Sequence, residues 1–516
     1  MPKIDGSRQR GNSPRVASFL NYFTCNHEHA LIHNPPERNK KIQLSSLKQK
    51  ANELKKRLLE GEPPLDPYLD NDEPTNGESS ETVESKQGPW PFELSDIPLD
   101  PLITYGELGN GLRYYIMPNS EPPGQMDLRL HIDAGANFEK DEEDGLAHFL
   151  EHMMFQTTKS HPNGDLIEAL QRLGIGFGID LNAYTTFDET VYMLSLPNLE
   201  NDTLATSLGW MRDVMDGALL EESEIEAERG VVVSELEIGD SVDYRLAKMM
   251  YQWLLPDHLI SKRFVIGTEE TIMGFTKDMV DQFYGEYYVP RRATLIAVGD
   301  FNASEIVSHI EHHFGSVQDS GDRGDPVDYG TVPVGLGLRT NVFVDDEVSY
   351  DQVAMNFIRK KDFIPDTEEK RINDTKINMF SSILSKRFDD IALESNATIL
   401  WGYASYVHLY DSLEYGEVSV SPKSGQWQEA LVTMALEFRR VLEYGFTELE
   451  LETAKAEVLI GYRQAVLERN STPSGSLADT LAATVSNRAI PCSSQFEICL
   501  TLIALTFGFF NFSVIR

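Results

Sequence analysis

Residues 145–155, GLAHFLEHMMF, constrain the fold of this chain most, because they place three polar side chains within a strongly apolar stretch. On a helix, His148 and His152 are four residues apart, so their imidazoles lie one above the other on a single face. Glu151 points to the same side. The remaining positions are mostly Leu, Phe and Met, which predicts a buried helix. Buried polar groups need partners, and a metal ion is one such partner.

Two imidazoles at this spacing are typical of zinc sites. The pattern H-x-x-E-H is a known catalytic arrangement, the reverse of H-E-x-x-H, in which the glutamate serves as general base. The sequence therefore predicts His148 and His152 as zinc ligands and Glu151 as the group that takes a proton from the attacking water. The alternative is a set of polar residues on a solvated helix face.

A zinc site needs a third protein ligand, and the predicted helix EESEIEAERGVVVSELEIGD offers two candidates. Glu228 and Glu235 are seven residues apart, which is two turns, so they share one face. Either could bind the metal. The apolar residues just before Glu235 predict a buried environment there, whereas the glutamates at 221–226 are typical of a charged surface.

Composition excludes several classes of protein. The chain has 516 residues, 41% of them hydrophobic, which is enough for packed cores. A formal net charge of -37 argues against nucleic acid as a partner. Three cysteines are too few and too scattered for a disulfide framework. No secretory signal pattern is evident, so we expect a cytoplasmic or organellar compartment.

Composition also divides the chain into four parts. Residues 1–95 predict an extension, disordered apart from a short basic helix, that ends in an acidic Pro- and Ser-rich linker. Residues 96–325 contain the zinc motif. Residues 335–495 predict a second domain without a metal motif, and residues 496–516 are an apolar tail.

Two short stretches leave alternatives open. Residues 25–33 contain metal-capable side chains but no helical or strand period, so a disordered leader is favoured over a metal site. Residues 498–515 are almost all apolar and would span about 27 Å as a helix, just short of a membrane core. We expect either a tail anchor or, in preference, the aberrant end of a longer chain.

Strands and helices are mixed along the chain without the strict alternation of a doubly wound fold. Residues 127–135 alternate apolar and polar side chains, which predicts a half-buried strand. Helices are predicted over 145–157, 164–173, 202–216 and 222–250. The pattern predicts the α+β class, with two similar domains that each have a mainly antiparallel sheet and helices on one face.

Several separate motifs resemble the pitrilysin/insulinase family of zinc metallopeptidases, and most closely its bacterial and organellar subgroup. They are YGELGNGLRYYIMPN, GLAHFLEHMMFQTTKSHP, GFGIDLNAYTTFDETVYMLSLP, ERGVVVSELE and YVPRRATLIAVGDF. The resemblance covers residues 100–495 and implies a peptidase that uses Zn²⁺.

The resemblance also implies roles for individual residues. In that family, the third ligand is the second glutamate of an E-R-x-x-x-x-x-E pattern, which is Glu235 here. Glu228 then becomes a carboxylate that supports the metal site. The segment DLNAYTTF becomes an edge strand to which a peptide substrate adds, and Asn182, Ala183 and Tyr184 line the substrate site.

Family members of this kind are either long chains of four similar domains or two-domain chains that pair. The resemblance therefore implies a zinc endopeptidase that acts on peptides or unfolded segments, with a C-terminal half missing here or a homo- or heterodimeric partner. The alternative is a non-catalytic subunit that keeps the fold and the metal. A membrane is a partner only if the apolar tail is an anchor.

Overall fold

The computed structural model describes residues 20–22, 94–319, 327–333, 337–362, 364–409 and 412–506. Within the predicted extension, a short strand β1 (Leu20–Tyr22) is described. The basic helix expected between residues 44 and 58 and the metal-capable stretch at 25–33 lie outside the described residues, as do residues 507–516 of the apolar tail.

The first sheet has six strands in the order β2-β3-β7-β4-β6-β5. All neighbouring pairs are antiparallel except β3 and β7, which run parallel. The strands are β2 (Thr104–Glu107), β3 (Arg113–Pro118), β4 (Met126–Ile132), β5 (Leu181–Thr185), β6 (Thr190–Leu196) and β7 (Ala293–Gly299).

The α-helices described between residues 133 and 314 accompany this sheet, and the apolar core lies between the sheet and the helices that include the histidine-bearing one. They are α1 (Leu146–Met153), α2 (Leu166–Arg172), α3 (Asn201–Asp216), α4 (Glu222–Gly239), α5 (Val242–Leu254), α6 (Glu269–Gly274), α7 (Lys277–Tyr287) and α8 (Ala303–Phe314).

The single helix predicted over 222–250 is wrong, because the structure divides it into α4 and α5. Asp240 leaves the helical conformation at φ -72 and ψ 64, and the Ser241 side chain accepts a hydrogen bond from the Tyr244 backbone N–H. Serine at this position caps a new helix. Gly239 and Asp240 have weak helix propensity, so this cap is enough to end one helix and begin the next.

The second sheet has the order β10-β11-β9-β1-β8, and of its neighbouring pairs only β1 and β9 run parallel. Its other strands are β8 (Arg339–Thr340), β9 (Val353–Lys360), β10 (Ile399–Leu409) and β11 (Leu413–Pro422). The helices that follow β9 along the chain are α9 (Glu368–Ala392), α10 (Trp427–Tyr444), α11 (Glu448–Glu468), α12 (Ser474–Ser486) and α13 (Ser494–Thr506). The predicted α+β class, with two mainly antiparallel sheets and packed helices, is confirmed.

Strand β4 is buried along its whole length, so the half-buried strand predicted from its alternation is wrong. Helix α12 packs on the face of the first sheet that the alternation would leave to water. There Arg129 Nε donates to Asp479 Oδ1 at 2.8 Å, and His131 Nε2 lies 2.7 Å from Glu189 Oε2. The polar side chains of β4 therefore face a helix more than 340 residues later in the chain.

Part of the apolar tail is a packed helix. On α13, Phe496 and Leu500 are buried in one cluster with Ile97 and Ile490. Helix α13 also contacts α9 and α11. Within the described ranges, no helix is long and apolar enough to cross a membrane.

Candidate metal and active site

The histidine-bearing helix α1 begins where a buried carboxylate and a glycine fix its first turn. Glu139 accepts hydrogen bonds from the backbone N–H groups of Gly145 at 3.0 Å and Ala147 at 2.8 Å, two donors that a helix start leaves without partners. Gly145 has φ 94, and a Cβ atom there would lie 2.6 Å from the Ile266 carbonyl oxygen. Only glycine fits this entry to the helix.

Helix α1 places the three predicted residues on one side, as its spacing implies. Leu146, Ala147, Phe149, Leu150 and Met153 are buried in the core. The side chain of His148 is 12% exposed and that of His152 is 22% exposed. Glu151 is 7% exposed, so its carboxylate is held in a largely desolvated position.

Helix α4 brings Glu235 against both histidines. Its Oε1 lies 3.7 Å from His148 Nε2, and its Oε2 lies 3.2 Å from His152 Nε2. One ligand atom from each of these three residues lies within 4.8 Å of the other two. Two imidazole nitrogens and one carboxylate oxygen form a donor set that suits zinc and leaves a position open. The side chains present therefore fit the metal that the sequence predicts.

Glu228 lies on the other side of His152. Its Oε1 is 2.9 Å from His152 Nδ1, and its Oε2 accepts a hydrogen bond of 2.8 Å from Gln156 Nε2. A carboxylate on the second nitrogen of a ligand histidine fixes the tautomer and the ring orientation. The two glutamates therefore contact different atoms. Glu235 lies at the Nε2 atoms of both histidines, and Glu228 lies at Nδ1 of His152.

Arg229 holds α4 in this position from within the core. Its guanidinium donates to the backbone carbonyl of Ile272 at 2.8 Å and to that of Phe275. The cation is buried at 7% exposure, so these carbonyls replace the water it gives up. Glu228 and Glu235 flank this anchor on the same helix.

The ionisable groups of this cluster shift one another's pKa values. Burial lowers the pKa of His148 to about 4, and the neighbouring His152 adds to this. Burial also lowers the pKa of His152, but hydrogen bonds to Glu228 and Glu235 outweigh it and raise the pKa to about 10. The hydrogen bond to His152 lowers the pKa of Glu235. Burial raises the pKa of Glu151 to about 7, against a hydrogen bond from Thr185.

Strand β5 runs beside this cluster and is an edge strand, as the family resemblance implies. It ends the strand order of the first sheet, so one side of it pairs with no strand in the described part of the chain. Asn182 is exposed and its Oδ1 accepts a hydrogen bond of 2.9 Å from the Ala183 N–H. Ala183 and Tyr184 are partly buried.

A cavity of about 790 Å³ is lined both by the histidine and glutamate cluster and by strand β5. Its wall includes all the residues predicted for the site, and these are His148, Glu151, His152, Glu228, Glu235, Asn182, Ala183 and Tyr184. Aromatic side chains complete it, and these are Phe155, Phe177, Phe187, Tyr244, Tyr251 and Phe264. The carboxylate of Glu151, the imidazoles and the edge strand therefore face one space.

Sequence reasoning missed Gln156 and Thr185. Gln156 follows His152 by four residues, and within the helix predicted over 145–157 that spacing could have indicated a shared face, although α1 ends at Met153. Thr185 is two residues after Ala183, so strand alternation places both on one face of β5. Its contact with Glu151 depends on how the sheet and α1 pack, and no local pattern indicates it.

Two family profiles match the chain. The profile described as Insulinase (Peptidase family M16) matches residues 114–262, and the Peptidase M16 inactive domain matches residues 274–458. The probable zinc protease PqqL of Escherichia coli K12 is 29% identical over 392 residues, which cover 76% of this chain and 42% of that protein. The chloroplastic stromal processing peptidase of Pisum sativum is 33% identical over 237 residues, 45% of this chain and 18% of that protein.

The crystal structure of the first half of periplasmic PqqL from Escherichia coli resembles this fold with a TM-score of 0.71 at 27% identity. The match covers 80% of this chain and 89% of that half. The chain thus spans less than half the length of each of the curated relatives above. Both profiles and the similarity to the first half of PqqL show that the chain belongs to the insulinase family of peptidases, family M16.

Proposed function

We propose that this chain is the zinc-bearing N-terminal half of an endopeptidase that hydrolyses peptides or unfolded protein segments. The observation that carries the proposal is the convergence of His148, His152 and Glu235 beside a buried Glu151 and an open sheet edge. The relatives' names, a probable zinc protease and a processing peptidase, support the same activity class.

The Nε2 atoms of His148 and His152 and a carboxylate oxygen of Glu235 would hold the metal. When bound, zinc supplies Lewis-acid activation of water and of the substrate carbonyl. Glu228 supports the site by fixing the ring of His152 through Nδ1. In this proposal the metal domain spans residues 96–325, and residues 335–495 form the second, metal-free domain.

Glu151 would do the acid–base work. Its carboxylate accepts a proton from the attacking water and then delivers it to the nitrogen of the leaving amine. Burial raises the pKa of this carboxyl to about 7, which is close to neutral pH. A group with a pKa near the working pH can serve in both directions.

Strand β5 would hold the substrate. An extended peptide that adds to an exposed sheet edge is bound by main-chain hydrogen bonds, which depend little on the sequence of the peptide. Asn182, Ala183 and Tyr184 lie on this strand and on the wall of the cavity. The aromatic wall adds apolar contact for side chains of the peptide.

The second candidate is a partner-dependent or non-catalytic subunit that keeps the fold and the metal. The observation that favours it is that the chain covers 42% of PqqL. Substrate-orienting groups supplied by a C-terminal half or by a pairing subunit would then be absent from this chain.

One experiment separates the two candidates. The purified chain is loaded with zinc, its mass in solution is measured, and cleavage of a quenched fluorescent peptide is followed. The endopeptidase proposal expects cleavage that a chelator abolishes and added zinc restores. Stoichiometric zinc without any cleavage, even after a second half is supplied, would establish the non-catalytic subunit.

A further inference from the structure

Thr185 is hydrogen bonded to the proposed base. Its Oγ1 donates to Glu151 Oε2 at 2.6 Å. Thr185 is the last residue of β5, so the contact joins the edge strand to helix α1. Among the described residues, no other side chain donates a hydrogen bond to this carboxylate.

The neighbouring strand fixes the direction of this hydrogen bond. Thr190 on β6 is the register partner of Thr185, and the two hydroxyl oxygens are 3.4 Å apart. Thr190 donates its own proton to the Ala134 carbonyl at 3.0 Å. A threonine hydroxyl has one proton to donate. The proton of Thr185 therefore goes to Glu151, at the shorter of its two contacts.

A carboxylate needs a fixed orientation to act as a base. Glu151 is buried, and its terminal torsion is otherwise soft, with two broad preferred orientations. With Oε2 held by Thr185, Oε1 is the oxygen left to accept a proton from water. Small errors in the placement of a catalytic group can reduce the rate about 100-fold.

We propose that Thr185 is a positioning residue, whose hydroxyl holds one oxygen of the Glu151 carboxylate so that the other faces the attacking water. This inference rests on the proposed peptidase function. It gives β5 a second task besides holding the peptide, because the strand that would bind the substrate also orients the base.

The test compares four forms of the full zinc-loaded chain under single-turnover conditions. Thr185→Val keeps the shape of the side chain and removes the hydroxyl, so we expect the cleavage rate constant to fall by about 10- to 100-fold. The peptide concentration for half-maximal rate should change by less than about twofold, since uniform binding is untouched. Thr185→Ser restores the hydroxyl and should recover the rate to within about threefold of the original chain.

Thr190→Val is the matched control. It removes the other hydroxyl of the same pair but leaves the bond from Thr185 to Glu151, so it should reduce stability while keeping the rate. Zinc content, measured in all four forms, should be unchanged. If Thr185→Val and Thr190→Val reduced the rate equally, or if Thr185→Ser failed to recover it, the hydroxyl would have only a structural role.

A second measurement does not depend on turnover. In a Glu151→Gln background, which should not cleave, peptide affinity is measured by calorimetry with Thr185 and with Thr185→Val. Equal affinities support a role confined to the base, and a clear loss would assign Thr185 to peptide binding instead. If the original chain shows no zinc-dependent cleavage even when a second half is supplied, the proposed function fails and the positioning role fails with it. An active chain that is indifferent to Thr185→Val overturns the positioning role alone.

Discussion

Glu151 shows how far a residue's chemistry depends on what surrounds it. Several glutamates of this chain lie on exposed helix surfaces, whereas Glu151 is buried between α1 and β5 and hydrogen bonded by Thr185. Burial raises the pKa of its carboxyl to about 7, against the hydrogen bond from Thr185 and the charge of His152. The same side chain on a solvated helix would be a permanent anion at neutral pH.

The base can be tested by removing its charge. Glu151→Gln should keep the fold and the zinc but abolish cleavage, with a fall of at least about 1000-fold, because an amide cannot accept the proton. Glu142→Gln, on the exposed surface before α1, serves as a control. Substantial residual turnover in Glu151→Gln would remove Glu151 from the mechanism.

The third ligand can be tested by comparing two glutamates of α4. Glu235→Gln should weaken zinc binding by more than about 100-fold, because an amide is a poor replacement for a carboxylate on zinc. Glu228→Gln should reduce activity with a smaller loss of zinc, since it acts through His152. Zinc is quantified by atomic emission, with the exposed Glu237→Gln as control. The opposite ranking of zinc loss would assign the third ligand to Glu228.

Zinc binding should release a proton from His152. In the metal-free chain the pKa of His152 is raised to about 10, so its ring is protonated at neutral pH and must lose the proton before Nε2 can bind a metal. Raising the pH therefore favours binding. We expect apparent affinity to rise by about tenfold per pH unit between about pH 7.5 and 9. Competition with a chromophoric chelator measures this, and a flat profile would contradict it.

At the scale of elements, strand β4 and helix α12 show how a segment distant in sequence can bury a strand face that the local pattern predicts to be exposed. The alternation of β4 predicts one face in water, yet α12 covers that face and pairs with Arg129 through Asp479. Helix α13 likewise packs against α9 and α11, whereas its composition suggested a tail anchor or the aberrant end of a longer chain. Phe496 and Leu500 there close a cluster with Ile97.

The packing of α13 gives a stability test. Phe496→Ala should lower the free energy of unfolding by about 3 kcal/mol, because it opens a cavity in a buried cluster. Gln495→Ala, at a partly exposed position on the same helix, should change it by less than about 0.5 kcal/mol. Chemical denaturation measures both. Equal effects would mean that α13 is not packed as described.

At the scale of the whole molecule, the candidate metal ligands and Glu151 lie together in this chain, whereas the matched segments cover only 42% of PqqL and 18% of the stromal processing peptidase. Glu235 is 49% exposed at its side chain, so the buried environment predicted from the apolar residues before it is wrong, and the cavity beside it is partly open to solvent. A catalytic site gains strength when water is excluded and when donors stabilise the developing oxyanion. We infer that a second half would supply both.

The full chain should therefore bind zinc yet cleave peptides poorly. Loss of one oxyanion donor can reduce the rate by roughly 100- to 1000-fold, and activity should rise when a second half or a pairing subunit is added. All 516 residues are used, since ending the protein at residue 495 would remove most of α13. A monomer of this chain with full zinc-dependent activity would refute the idea that it is half of a working enzyme.

The sequence by itself determined the elements that carry the site. The family resemblance, and not the local pattern, implied that the strand around Asn182 lies at a sheet edge. The spacing of His148, Glu151 and His152 implies one helix face, and the pattern around Asn182 implies a strand. Both are local properties, set by 3.6 residues per helical turn and the period of two in a strand. The single helix predicted over 222–250 is wrong, because the Ser241 side chain caps a new helix directly after two residues of weak helix propensity, Gly239 and Asp240.

From residue spacing alone the third ligand stayed open, and only the tertiary structure shows which glutamate lies at the two Nε2 atoms. Glu228 and Glu235 lie two turns apart on one face of α4, so their spacing treats them alike. The choice depends on where α4 crosses α1, which places Glu235 at the Nε2 atoms and Glu228 at His152 Nδ1. The contact from Thr185 to Glu151 arises in the same way. Distances between elements follow from packing of the core between them, and no pattern within one element encodes them.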